Sequence, residues 1–233
     1  FYETDNRVMR YAEALVKRGD NVDVVALKRK GQSFHETIDG VNLYRIQERE
    51  VNEKSQLSYM VRVLRFLIKS GWFVTKKHLK SYYDVIHVHS VPDFEVFSAL
   101  IPMMTGAKII LDIHDIVPEL FASKFKVKKS SFLFKLLILV EKFSIAFSNH
   151  IIVSNHIWEK KLKSRSIMSK KITTILNYPD RDLFYKKNES KADGRFVIMY
   201  PGTLNWHQGI DIAIKAMGII KEEIHDADLH IYG

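Results

Sequence analysis

From Asp84 onward the sequence falls into a rhythm that few folds accept, short apolar runs alternating with helical patterns. The runs DVIHVHS, AKIILDIHD, HIIVS and KITTIL have strand length, and between them lie Phe94 to Met104, Ser131 to Phe147 and Trp158 to Ser164. Strands this apolar must be covered on both faces, and a helix between successive strands supplies the crossover that parallel pairing needs. The fold class expected is α/β, with a doubly wound parallel sheet as the N-terminal lobe.

Upstream, Asp5 can cap a helix whose apolar residues Val8, Tyr11, Ala12, Leu15 and Val16 recur at helical spacing before Gly19. Val22 to Leu27 reads as a strand. A helix that opens an α/β lobe normally follows a strand, so one is expected to precede Phe1. Val41 to Ile46, introduced by Asp39-Gly40, reads as a short strand, and Leu57 to about Lys80 as a helix that Gly71 divides. Downstream, Tyr185 to Gly194 (YKKNESKADG) is charged and without periodicity. These features divide the chain into a lobe over 1–185, a linker over 186–194 and a second lobe from 195 to 233. The second lobe holds only FVIMY, a helix over Ile210 to Ile224 and the strand LHIY. One βαβ unit cannot bury both its faces, so this Rossmann-like lobe is expected to be incomplete.

Charge narrows the partners. The formal net charge of +9 favours anionic ligands or surfaces. Helix-turn-helix, RNP-like and zinc-finger spacings are lacking, so nucleic acid is not expected. The absence of cysteine excludes disulfides and thiolate metal sites. The longest apolar run, Phe132 to Phe147, contains Lys135, Glu141 and Lys142 and is shorter than the ~20 residues a spanning helix requires. Lys124, Lys126, Lys128 and Lys129 precede it. Two readings stand for this stretch: burial of the helix against the sheet, or docking on an anionic membrane surface.

In a parallel sheet the ligand crevice lies beyond the carboxyl ends of the strands. The residues found there are polar at one strand after another: His89 and Ser90, then Asp112, His114 and Asp115, then Ser154 and Asn155, then Asn177, and finally Gly202 and Thr203. Such convergence points to a shared site. His114 is the sharpest position, because an imidazole can bond a sugar hydroxyl or phosphate or exchange a proton near neutral pH; Asp112, Asp115 and Glu119 follow closely enough to orient it. A structural histidine bonded to a loop carbonyl is the alternative. His87, His89 and His114 could also be drawn as a metal site, but their spacing matches no metal signature, and no metal is expected. In FVIMYPGTLNWHQGIDIAIKA, Gly202 and Gly209 bracket a loop that opens a helix, where backbone N–H groups can face a phosphate.

Taken in order, DNRVMRYAEALVKRGDNVDVVAL, YDVIHVHS, AKIILDIHDIVPELF, HIIVS, ITTILNYPDRDLF and FVIMYPGTLNWHQGIDIAIKAM resemble the nucleotide-sugar glycosyltransferases of family 4, which have the two-lobed GT-B fold. The resemblance implies transfer of a sugar from a nucleotide diphosphate donor, with retention of configuration and no required metal or other cofactor. The acceptor would be a glycan or lipid-linked molecule in surface polysaccharide or glycolipid assembly, in the cytoplasm or at the inner face of its membrane. His114 matches the family's histidine that contacts the transferred sugar. His89, Ser90, Asp115, Glu119 and Ser154 would lie on the acceptor side. Asn177, Gly202, Thr203, His207, Gln208 and Gly209 would bind the donor. Where the family commonly has Arg and Lys on the diphosphate, this chain has Thr203 and Gln208, leaving backbone N–H groups and His207 for that task. Another GT-B enzyme, such as a sugar-nucleotide epimerase, and a non-catalytic basic membrane-binding module are the alternatives.

Overall fold

The protein is described from a computed structural model at residues 1–49, 56–90, 92–125, 128–166, 171–178, 184–185 and 196–233, with the side chains of 56, 57, 124, 125 and 207 excepted. Lys126, the side chain of Lys124 and the linker expected over 186–194 lie outside the described residues. The chain divides into two compact units, Phe1–Tyr178 and Pro179–Gly233.

The first unit opens with helix α1 (Asn6–Arg18). The Asp5 side chain accepts from the Val8 amide at its start, and Gly19 ends it with a left-handed φ of 98°. Strand β1 (Asp23–Lys28) pairs in parallel with β3 (Val41–Glu48), and β2 (His35–Ile38) pairs antiparallel with β3 on its other side. The β2–β3 hairpin is a finding beyond the sequence reading. Asp39 and Gly40 both have positive φ, 49° and 82°, as a two-residue hairpin turn requires. Val41 and Leu43 on β3 bury against Tyr2 and Ala12, with Val8 and Val16 of α1 packed around them.

Helix α2 (Gln56–Lys80) runs through Gly71 without a break. The helix passes close to Ser98 at this residue, where a Cβ would meet the Ser98 backbone at 3.5 Å, an ordinary contact distance. Strand β4 (Val85–His89) leads to a 3-10 helix, Asp93–Ala99, and a short α3 (Leu100–Met104), where a single helix is expected from the sequence. Strand β5 (Lys108–Ile113) is followed by α4 (Val117–Phe125), which the sequence reading does not include, and α5 (Phe132–Phe147). Strand β6 (His150–Val153), α6 (His156–Arg165) and β7 (Ile172–Thr174) complete the unit.

Strands β4 to β7 form a four-stranded parallel sheet in sequence order. Ile109, Leu111, Ile113, Ile151 and Val153 build its core with Val96, Ala99, Ile145 and Leu162 of the covering helices. The strands of the first unit thus make two hydrogen-bonded sheets, joined through side chains. The Tyr83 hydroxyl donates to Asp23 of β1 at 2.7 Å, and Lys77 of α2 lies 3.3 Å from the same carboxylate.

The second unit holds β8 (Phe196–Pro201), α7 (Ile210–Glu223) and β9 (Ala227–Tyr232), with the two strands parallel.

Candidate active site

Period-two alternation places His87 and His89 of β4 on one face of the sheet, while Ile86 and Val88 turn to the apolar core on the other. Asp112 of β5 is the register partner of His89 and shares its face. The element meeting this polar face is α1, through Arg7 and Tyr11. These lie four residues apart and so stand on one side of the helix.

Asp112 is the hub, with 0 % exposure. Arg7 forks onto it, Nε donating to Oδ2 at 2.7 Å and Nη2 to Oδ1 at 2.9 Å. Around Oδ2 stand His89 Nδ1 at 3.3 Å, His114 Nε2 at 3.4 Å and His87 Nε2 at 3.7 Å. Burial alone would raise the carboxyl pKa. The three close imidazoles and the hydrogen-bonded Arg7 guanidinium outweigh it and hold Asp112 well below the usual carboxylate range. Burial lowers the His89 pKa, with the neighbouring imidazoles adding to it and Asp112 opposing, so His89 is neutral at pH 7. Tyr11 is pushed up to about 12 by burial and by the Asp112 charge. Its ring lies 5.1 Å from that of His87 and 5.8 Å from that of His89.

His89 Nδ1 and His114 Nε2 are 3.2 Å apart. Asp112, ionised, can only accept, so a proton on either nitrogen is stabilised beside its carboxylate. The His114 backbone is fixed as well, its carbonyl accepting from Ser154 Oγ at 2.8 Å. His114 thus has one ring nitrogen tied to the hub, while its Nδ1 has no partner among the described residues.

His87, His89 and Asp112 bring ligand-type atoms within 4.8 Å of one another, a spacing open to a cation. Both oxygens of Asp112 already serve the guanidinium of Arg7, so a metal ion there would sit beside a fixed positive charge.

The other expected residues are distributed as follows. Ser90 is buried, its amide donating to the Asp112 carbonyl at 2.9 Å. Asp115 is exposed and makes no ion pair among the described residues. Glu119 does not orient His114. It faces α6, where Arg165 bonds it at 2.6 and 2.9 Å and Lys161 at 2.8 Å, because a guanidinium shared with the buried Glu141 draws it there. Asn177 lies in the first unit, its Oδ1 accepting from Arg7 Nη1 at 2.8 Å. In the second unit the Gly202 amide donates to the Tyr232 carbonyl at 2.8 Å, and the Thr203 carbonyl accepts from Tyr200 at 3.3 Å. Gln208 ends a 3-10 turn, and Gly209, with φ 73°, opens α7. The His207 side chain lies outside the described residues. Arg7 is the residue that the sequence reading overlooked. Its signal was present, a charged residue one turn before Tyr11 in line with the buried side of an amphipathic helix.

A parallel sheet with its polar residues gathered at the carboxyl ends, followed by a second βαβ unit, defines a class of fold. It is shared with sucrose-phosphate synthase from Thermosynechococcus elongatus, at a TM-score of 0.69 and 18 % identity over 96 % of this chain and 55 % of the synthase. A second structure of sucrose-phosphate synthase from that organism aligns at a TM-score of 0.54 and 14 % identity, over 76 % of this chain and 86 % of the other. At such identities the likeness is one of fold, the GT-B type of glycosyltransferases. The chain spans about half the length of the first synthase structure, 55 %. No curated protein matches the chain in sequence. Residues 4–177 match the family model described as glycosyl transferase 4-like domain, and the chain belongs to that family.

Proposed function

We propose that the chain is part of a retaining glycosyltransferase that moves a sugar from a nucleotide diphosphate donor to a glycan or lipid-linked acceptor at the inner face of a membrane. The observation that carries this reading is the family match over residues 4–177, the same span that gathers His89, Asp112 and His114 at one strand rim. The first unit is assigned the acceptor, with His89, Ser90, Asp115 and Ser154 on its rim, and the second unit the donor.

The chemistry asks for two things, a polar group at the reacting sugar and stabilisation of the negative charge that grows on the leaving diphosphate. His114 is given the first role. Its Nε2 faces Asp112, and its Nδ1 is left to bond a sugar hydroxyl. For the second role the start of the 14-residue helix α7, with the loop before it, offers backbone N–H groups, those of Gly202, Gln208 and Gly209 being bonded to carbonyls of the same unit. Asn177 is placed to hold the segment leading to the donor side. The reading assigns no step to a metal or other cofactor.

The test is turnover by the full-length protein with a panel of nucleotide sugars, following nucleoside diphosphate release and glycosylated product. His114→Ala is expected to lower kcat by roughly 100-fold or more while the circular dichroism spectrum is kept. Undiminished turnover in that variant removes the role given to His114. Sugar conversion without any acceptor would replace transfer by epimerisation.

A further inference from the structure

Helix α2 contains no aspartate or glutamate in 25 residues. Its outward side is also unusually apolar. Val61, Leu64, Ile68, Trp72 and Leu79 recur at helical spacing and are all exposed, Ile68 and Trp72 at 71 % and 73 %. Directly beside this stripe, one position further round the helix, stand Arg65, Lys69, Lys76 and Lys80, also exposed and without an ion pair among the described residues. On the stripe's other flank Gly71 packs on Ser98. There Leu67, Ile68, Trp72, Thr75, Phe97 and Ile101 line an open apolar groove of about 380 Å³. Met104 of α3 extends the apolar surface at 71 % exposure.

Isolated exposed apolar residues are ordinary; a continuous stripe with a one-sided column of unpaired cations is not. Water solvates the lysines well but gains nothing from Ile68 and Trp72. A surface that satisfies both columns has anionic groups at one depth and hydrocarbon a few ångströms below, as a helix lying in a lipid interface meets them. No helix among the described residues is long and apolar enough to cross a membrane, so contact of this kind would be from one side.

We propose that the face formed by α2 and α3 docks on an anionic phospholipid bilayer, with α2 lying in the plane of the surface, Ile68, Trp72 and Met104 inserted, and Arg65, Lys69, Lys76 and Lys80 at the phosphates. The charge complementarity selects this occupant. A second copy of the chain would bring the same unpaired cations against each other. The proposal is independent of the glycosyl-transfer reading, since binding needs neither donor nor acceptor.

The test is co-sedimentation of the chain with vesicles of phosphatidylcholine alone and of phosphatidylcholine with phosphatidylglycerol, at low and high salt. Binding is expected to the anionic vesicles and to weaken with salt. Lys69→Ala with Lys76→Ala is expected to weaken it about 25-fold, from about fivefold for each cation near the surface. Ile68→Ser with Trp72→Ser is expected to weaken it roughly tenfold or more, with secondary structure unchanged by circular dichroism. Tryptophan emission should shift to the blue on binding, and Trp72→Phe should remove the shift although Trp158 and Trp206 remain. A shorter exposed stripe on α5, Phe132, Leu136, Leu139 and Phe143, serves as the control surface. The proposal is overturned by equal binding in the α2 variants or by no binding to anionic vesicles. It is equally overturned by binding that only Phe132→Ser with Phe143→Ser abolishes, or by a concentration-dependent dimer that the α2 substitutions dissolve.

Discussion

The Arg7 guanidinium meets the Asp112 carboxylate side-on, two nitrogens against two oxygens at 2.7 and 2.9 Å, although 105 residues separate the two in sequence. Both members are buried, so removing one leaves the other charge without compensation. Asp112→Asn is expected to destabilise the protein by about 3–5 kcal/mol, seen as a lower midpoint in urea unfolding. Replacing both partners with apolar residues, Arg7→Met with Asp112→Leu, should recover most of that loss.

The same cluster sets an acid limit. His89 is held neutral when folded but takes up a proton when unfolded, once the pH falls below its ordinary value of 6.5. The unfolded chain then binds more protons, so stability is present above that pH and declines as the pH falls. Asp112, whose pKa is lowered, adds a second decline below its ordinary value of 3.8. His89→Gln should flatten the fall in melting temperature that begins as the pH drops below about 6.5, the ordinary histidine value.

Glu95 acts in the opposite sense. Burial alone pushes its carboxyl up to about 8 from 4.5, so it is protonated in the folded protein and ionised in the unfolded chain at neutral pH. Its contribution is present at low pH and lost as the pH rises through that interval. Glu95→Gln should leave stability unchanged at about pH 4 and raise it by a few kcal/mol above pH 8, at about 1.4 kcal/mol for each pH unit between the two pKa values. Urea titrations at the two pH values compare them directly.

Position 71 separates size from helix propensity. A methyl group fits there at ordinary contact distance, 3.5 Å from Ser98, so Gly71→Ala should be neutral or stabilising by up to about 1 kcal/mol. Gly71→Leu must push the 3-10 helix away from α2 and should cost roughly 1–3 kcal/mol. Thermal melts of the pair should shift in opposite directions or leave the alanine variant unmoved.

Much of the fold was legible because it follows from period and capping. The Asp5 cap, the Gly19 stop and the four parallel strands all rest on local chemistry. The β2–β3 hairpin was missed because HETI has little apolar signal, although Asp39-Gly40 is the turn that joins it to β3. Gly71 reads as a breaker because propensity is local, whereas the helix through it is held by packing on another element, at Ser98. At the rim, the approach of His89 and His114 to Asp112 followed from strand ends. Glu119 was misjudged because nearness in sequence is a poor guide to a long side chain that a cation 46 residues away can claim. Arg7 could be placed on the right side of its helix by spacing, but no local pattern names a partner 105 residues on.

Arg7 also donates through Nη1 to the Ile175 carbonyl at 2.7 Å and to Asn177 at 2.8 Å, so one planar head holds three acceptors from distant parts of the chain. That geometry leaves position 7 no gradual alternatives. A lysine would keep the charge, but its single nitrogen could serve the carboxylate or the 175–177 segment, not span both. The floor of the rim and the last residues of the first unit are therefore fastened by one interchangeable-with-nothing joint, and any sequence that loosens one of them loosens the other in the same step.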